Sequence, residues 1–136
     1  MLVDADNLDP ARLRLVAAEL RDAGPEVRVV VAGHPDRLAA VRWPEHAVVV
    51  AASGWQRADI TLAAAYQPDD GPLVLVSGDG DFALLAQRHD GPVLVVAPEA
   101  GRSARYRSTG AVVDPVHEGV QRLRDFLGAG PGWPVG

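Results

Sequence analysis

Cysteine and lysine are both missing from this chain of 136 residues. Without cysteine there is no disulfide scaffold, no zinc ribbon and no thiol nucleophile, and a reducing, cytoplasmic setting is expected. Without lysine, a Walker-type phosphate loop and Schiff-base chemistry are both excluded. No apolar run approaches the roughly 20 residues that a membrane span needs. The opening Met-Leu-Val-Asp reaches an acid at its fourth residue with no basic start, so neither a secretory signal nor a membrane partner is expected. Aromatic residues are only 5% of the chain, and Trp43 and Trp55 read as core or rim rather than as base-stacking platforms.

What is present describes one globular domain. Hydrophobic residues are 48% of the chain and charged residues 23%, a balance that permits a packed core. The formal net charge is −5 and every cation is arginine. An acidic domain is a poor general sponge for nucleic acid, so a phosphate-bearing substrate must be held by local arginines, by metal, or by both.

Short β-branched runs alternate with helical patterns along the chain. Leu2–Val3 opens as a strand ending at Asp4. Asp9-Pro10 reads as an N-cap followed by a first-turn proline. Leu13, Val16, Ala17 and Leu20 then keep helical spacing until Gly24-Pro25 stops it. Val27–Ala32, Ala47–Ala52, Leu73–Ser77 and Val93–Ala97 read as strands buried on both faces. Pro35–Trp43, Trp55–Tyr66, Phe82–His89 and His117–Leu127 read as helices. Glu99–Thr109 reads as irregular, and Ala111–Val113 as a short strand. This pattern predicts an α/β domain over residues 1–127, with a parallel sheet covered on both faces. Residues 128–136, rich in glycine and proline, are expected to fray.

Ligands of such sheets bind beyond the carboxyl ends of the strands, which sorts the acidic residues. Asp4 and Asp6 follow the first strand, and Asp79 and Asp81 follow Leu73–Ser77. Helix capping accounts for one carboxylate per loop, as Asp81 does if it caps at Phe82, but not for two in both. Asp59 is independent: on the Trp55–Tyr66 helix it falls within the apolar arc of Ala58, Leu62, Trp55, Tyr66 and Ala63. A carboxylate buried there needs a metal ion or a distant arginine, unless the helix is exposed enough for it to reach water. Asp4, Asp59 and Asp79 together form an all-oxygen set that selects Mg²⁺ or Mn²⁺ over zinc. Such a set suits water attack on a phosphodiester. Asn7 is either an orienting group for that water or a turn residue. Arg102, Arg105 and Arg107, with Tyr106 among them, are a candidate grip on a nucleic-acid backbone or else a solvated loop. His34 and His89 read as surface residues.

Three blocks carry a family resemblance: Asp4-Ala-Asp6-Asn7, Arg57-Ala58-Asp59-Ile60 and Val76-Ser77-Gly78-Asp79-Gly80-Asp81-Phe82. Together with Gly101-Arg102-Ser103 they resemble the NYN family of PIN-like ribonucleases over residues 2 to about 115. The resemblance implies a three-layer fold with a central sheet of about five strands in the order 3-2-1-4-5, one or two divalent ions, and hydrolysis of RNA, single-stranded or structured. Carried across, Asp4, Asp59 and Asp79 become the metal ligands with Asp81 nearby, Asn7 joins the catalytic set, and Arg57, Ser77 and Ser103 join the arginines at the substrate. The chain departs from the family pattern in having arginine for the usual lysine at Arg57 and glycine for serine at Gly80.

Other readings use the same residues. Haloacid dehalogenase-type phosphatases also open with a strand ending in Asp-x-Asp, which would make Asp4 a nucleophile and Asp6 its acid. That pattern gives Asp59 no part. A non-catalytic module of the same fold would bind RNA or protein, and a compact toxin paired with an antitoxin is a variant of the nuclease reading. A homodimer or a regulatory protein partner is compatible with all of them.

Overall fold

The computed structural model describes residues 1–52, 57–68, 71–77, 82–98 and 111–129, with Arg57, Asp59 and Ala129 described by backbone alone. Six strands form one parallel sheet: β1 (Leu2–Asp4), β2 (Val30–Gly33), β3 (Val48–Ala51), β4 (Leu73–Val76), β5 (Val93–Val96) and β6 (Ala111–Val113). Their order is β3-β2-β1-β4-β5-β6, with β1 inside the sheet. The expected order of the first five strands is therefore present, and Ala111–Val113 extends the sheet as a sixth, pairing Val95 with Val112.

The helices are α1 (Pro10–Ala23), α2 (Pro35–Ala39), α3 (Arg57–Ala65), α4 (Ala83–Arg88) and α5 (Gln121–Ala129). None among the described residues is long and apolar enough to cross a membrane. Strand side chains alternate between two packed layers, as a sheet covered on both faces requires. Val3, Val31, Val76 and Val96 pack with Leu13, Val16 and Leu20 of α1 and with Leu123 and Leu127 of α5. Leu2, Val30, Leu75 and Val95 pack on the other side with Ala58 and Leu62 of α3 and with Ala83 and Ala86 of α4.

Local chemistry sets the boundaries of α1. The Asp9 side chain accepts from Arg12 N at 3.2 Å, Pro10 occupies the first turn, and Gly24 ends the helix at φ 88°. That left-handed backbone favours a residue without Cβ. α5 starts at Gln121 rather than at His117, because residues 115–118 form a turn that Glu118 ties back to Asp114 N at 3.0 Å. It continues through Ala129, past the expected start of the tail. α2 is shorter than its sequence pattern predicts, ending at Ala39.

β3 departs most from expectation. Its unbroken apolar run predicts burial on both faces, but Val48 is 56% and Val49 43% exposed. A valine run has the same composition at a sheet's edge as at its centre. Only the strand order, with β3 outermost, distinguishes the two.

Candidate active site

All six strands run the same way, so their carboxyl ends share one edge of the domain. β1 delivers Asp4 to that edge, and β4, paired with β1 through Val3 and Val76, delivers Ser77 beside it. Asp4 is fully buried and Ser77 is 1% exposed. The 3-10 turn Ala5–Asn7 that follows β1 bends the chain back over the Asp4 carboxylate.

Among the described residues, three donors hold that carboxylate. Asp6 N donates to Oδ1 at 3.2 Å, Ser77 Oγ donates to Oδ2 at 3.2 Å, and the Asn7 amide donates to the same Oδ2. Burying a carboxylate is costly unless hydrogen bonds replace its hydration, and charge-assisted bonds of this kind are the strong ones. The first and third sequence blocks therefore meet at Asp4. Asn7 and Ser77 orient this carboxylate. Ser77, expected at the substrate, is instead buried against Asp4.

Asp6 has a separate task. Its Oδ1 accepts from His34 N at 2.8 Å, tying the turn after β1 to the end of β2. Gly33 permits the approach: a Cβ there would lie 2.8 Å from Ala5 Cβ and 3.1 Å from Asp6 Oδ1. His34 caps α2 by accepting from Asp36 N at Nδ1, 3.1 Å away.

The second block begins α3, which packs against β1 and β2. Because α3 follows β3, its first residues lie at the carboxyl edge. Ala58 and Leu62 are buried as expected, but Ala63 is exposed. The side chains of Asp59 and Arg57 are outside the described structure, as are Asp79, Asp81, Arg102, Ser103, Arg105, Tyr106 and Arg107. The position preceding α4 is Phe82, which makes no side-chain cap. Among the described residues, no group of three or more Asp, Glu, His or Cys converges on a common point.

One strong feature of the same edge lies outside all three motif blocks. Asp114, directly after β6, is fully buried and grips Arg12 of α1 through two bonds of 2.9 Å, to Nε and to the terminal guanidinium nitrogen. Arg12 also reaches Asp9 Oδ1 at 2.9 Å. Hydrogen bonds to Asp114 and then to Asp9 raise the Arg12 pKa, so its charge is permanent. Desolvation pushes the Asp9 carboxyl up, but Arg12's hydrogen bonds and charge outweigh it and hold Asp9 below its usual range. The sequence does carry a signal for it: Asp114 follows an apolar run just as Asp4 does.

At the opposite edge, Tyr66, His89 and Arg28 help line a cavity of about 730 Å³. His89, expected at the surface, is only 8% exposed. Its Nε2 lies 2.6 Å from Gly71 O, so that nitrogen donates and Nδ1 accepts from the Tyr66 hydroxyl at 2.8 Å. This cavity lies at the amino ends of the strands, away from Asp4.

The chain matches no family model, no curated protein and no solved structure.

Proposed function

We propose that this domain is a metal-dependent ribonuclease that hydrolyses RNA phosphodiester bonds at the carboxyl edge of its sheet, and that it belongs with the NYN-type PIN-like nucleases its motifs resemble. The observation carrying this reading is the buried Asp4 carboxylate at the end of an interior strand, held by Asn7 of the first motif and Ser77 of the third. Its donor chemistry fits the implied ion: hard carboxylate oxygens, held by second partners that fix their orientation, suit Mg²⁺ or Mn²⁺. Asp4 would hold the ion, with Asp59 and Asp79 as the further carboxylates named by the motif resemblance.

When bound, such an ion activates water and neutralises charge developing on the phosphoryl group. The chain's own residues have distinct tasks. Asp4 presents oxygen ligands, Asn7 and Ser77 hold it in one rotamer, and Asp81 is the further carboxylate that the motif resemblance implies nearby. Arg57, Arg102, Arg105 and Arg107, with Ser103, would supply the positive and polar groups that an acidic domain needs near phosphates.

Incubation with single-stranded RNA, single-stranded DNA and a generic phosphate monoester, each with Mn²⁺ and with chelator, tests the reading. Metal-dependent cleavage of RNA, lost in Asp4→Asn and in Asp79→Asn, is expected. Turnover of the monoester alone would favour a phosphatase using Asp4. No turnover of any substrate, with Mn²⁺ leaving the melting temperature unchanged, would favour the binding module.

A further inference from the structure

The two lateral edges of the sheet differ. β6 is buried or half-buried throughout, whereas β3 carries exposed valines on both faces. Edge strands ordinarily discourage pairing with charged residues, proline or a bulge. Ala47–Ala52 holds no charged residue and no proline, and β3 pairs in unbroken register with β2 from Val48 to Ala51.

The hydrogen bonds show which backbone groups face outward. Val48 N donates to Val29 O at 3.0 Å, and Ala52 N donates to Gly33 O at 2.8 Å. In a parallel ladder alternate residues serve one neighbour, so residues 48, 50 and 52 address β2. Val49 and Ala51 therefore turn both their N–H and C=O away from the sheet, and Ala47 turns its C=O the same way. Ala47 N is already bonded to Pro44 O at 3.0 Å.

The residues in this strip read Ala47-Val48-Val49-Val50-Ala51, a palindrome about Val49. A two-fold axis perpendicular to a sheet keeps each residue on its own face. Directly opposed residues in an antiparallel pair also share a face, so only registers that pair odd with odd and even with even positions are allowed. Centring on Val49 satisfies this rule and also places an outward-facing residue on the axis.

We infer that a second copy of this chain docks on β3, forming an antiparallel β3–β3 seam centred on Val49 that joins two six-stranded sheets. In that register each Val49 N–H donates to Val49 O of the other copy, and each Ala51 N–H donates to Ala47 O of the other copy. Val48 faces Val50 of the second copy as a non-hydrogen-bonded pair, the closer kind for side chains. No like charges are opposed between Ala47 and Ala51, and self-complementarity favours a second copy over an unrelated strand. The seam is short, so the dimer depends on protein concentration.

Because the chain has no cysteine, the register can be read by disulfide trapping. A mixture of Val48→Cys and Val50→Cys proteins, oxidised together, is expected to give a covalent heterodimer. Their Cα atoms would lie about 4.5 Å apart, within disulfide range. Either variant alone should not cross-link, since diagonal neighbours are about 7–8 Å apart. Sedimentation equilibrium of the native chain should show a monomer–dimer equilibrium that Val49→Lys abolishes, with an unchanged melting curve confirming that this variant folds. Amide exchange at Val49 and Ala51 should slow with concentration, while exchange at Val48 and Val50 should not. A native chain that stays monomeric up to millimolar concentration would overturn the proposal. So would equal cross-linking of Val48→Cys alone, or a dimer indifferent to Val49→Lys. None of these readouts uses nuclease activity, so the dimer can fail while the active-site reading stands, or the reverse.

Discussion

Asp4 and Asp114 are both fully buried carboxylates at the carboxyl ends of parallel strands, yet they serve different ends. Asp114 meets a guanidinium in a two-pronged pair, and the bond joins β6 to α1 across 102 positions of sequence. The described partners of Asp4 are a backbone N–H, an amide and a hydroxyl. A buried charge matched by a half-buried arginine is an architectural lock. The described donors to Asp4 fix the orientation of its carboxylate without adding a charge of their own. The same residue type at the same edge thus meets different described partners, and the proposed function gives the chemical role to Asp4 and the structural one to Asp114.

The largest expected effects separate the two carboxylates most cleanly. Arg12→Ala should destabilise the domain by about 3 kcal/mol or more, because it removes the guanidinium from a carboxylate that is wholly buried. Urea unfolding measures that loss, and the melting-temperature rise on adding Mn²⁺ should survive it. Asp4→Asn should show the converse pattern, with stability within about 1–2 kcal/mol of native but no cleavage and no Mn²⁺ increment. If Arg12→Ala is benign and Asp4→Asn unfolds the chain, the division of roles is the wrong way round.

A smaller effect is expected from the residues that orient Asp4. Asn7→Ala and Ser77→Ala should each lower Mn²⁺ affinity or cleavage by about 10–100-fold, as is usual when a ligand loses its supporting hydrogen bond. Metal titration followed by melting temperature distinguishes this from general loosening: Ser77→Ala should shift the Mn²⁺ midpoint, while saturating metal restores most of the stabilisation. Gly33→Ala tests the other side of the turn. Its new Cβ would meet Ala5 Cβ at 2.8 Å, so a loss of about 1–3 kcal/mol is expected, with a weaker hold on Asp6.

Only part of this division is legible in the sequence. α1 is legible because Asp9-Pro10, the spacing of Leu13, Val16, Ala17 and Leu20, and Gly24 all act locally. β1, β2, β4 and β5 are legible because two covered faces demand an unbroken apolar run. The exposure of β3 is not legible, since which strand lies outermost depends on crossover order rather than on composition. Nor is the pairing of Arg12 with Asp114: the apolar run before Asp114 marks that residue, but nothing in the sequence links it to a partner 102 positions away that only the closed fold brings near. His89 illustrates the same limit: its two partners, the Tyr66 hydroxyl and Gly71 O, come from a separate turn of chain.

The smallest expected effect concerns Asp9, the outer member of the Arg12 cluster, and its sign follows from linkage. The folded chain lowers the Asp9 pKa from 3.8, so folding favours the charged carboxylate. That contribution is complete above the unfolded value and is lost as pH falls through the folded one, within acid solution below about pH 4. Its size is modest, under about 1 kcal/mol, because the Asp9 side chain is 40% exposed and screened by solvent. Asp9→Asn isolates the charge, since asparagine is as good an N-cap as aspartate and preserves α1. The native chain should be slightly more stable than the variant near neutral pH, and melts at falling pH should bring the two together. A gap that stays constant into strong acid would show that Asp9 contributes through shape or capping, and that Asp114 alone holds Arg12.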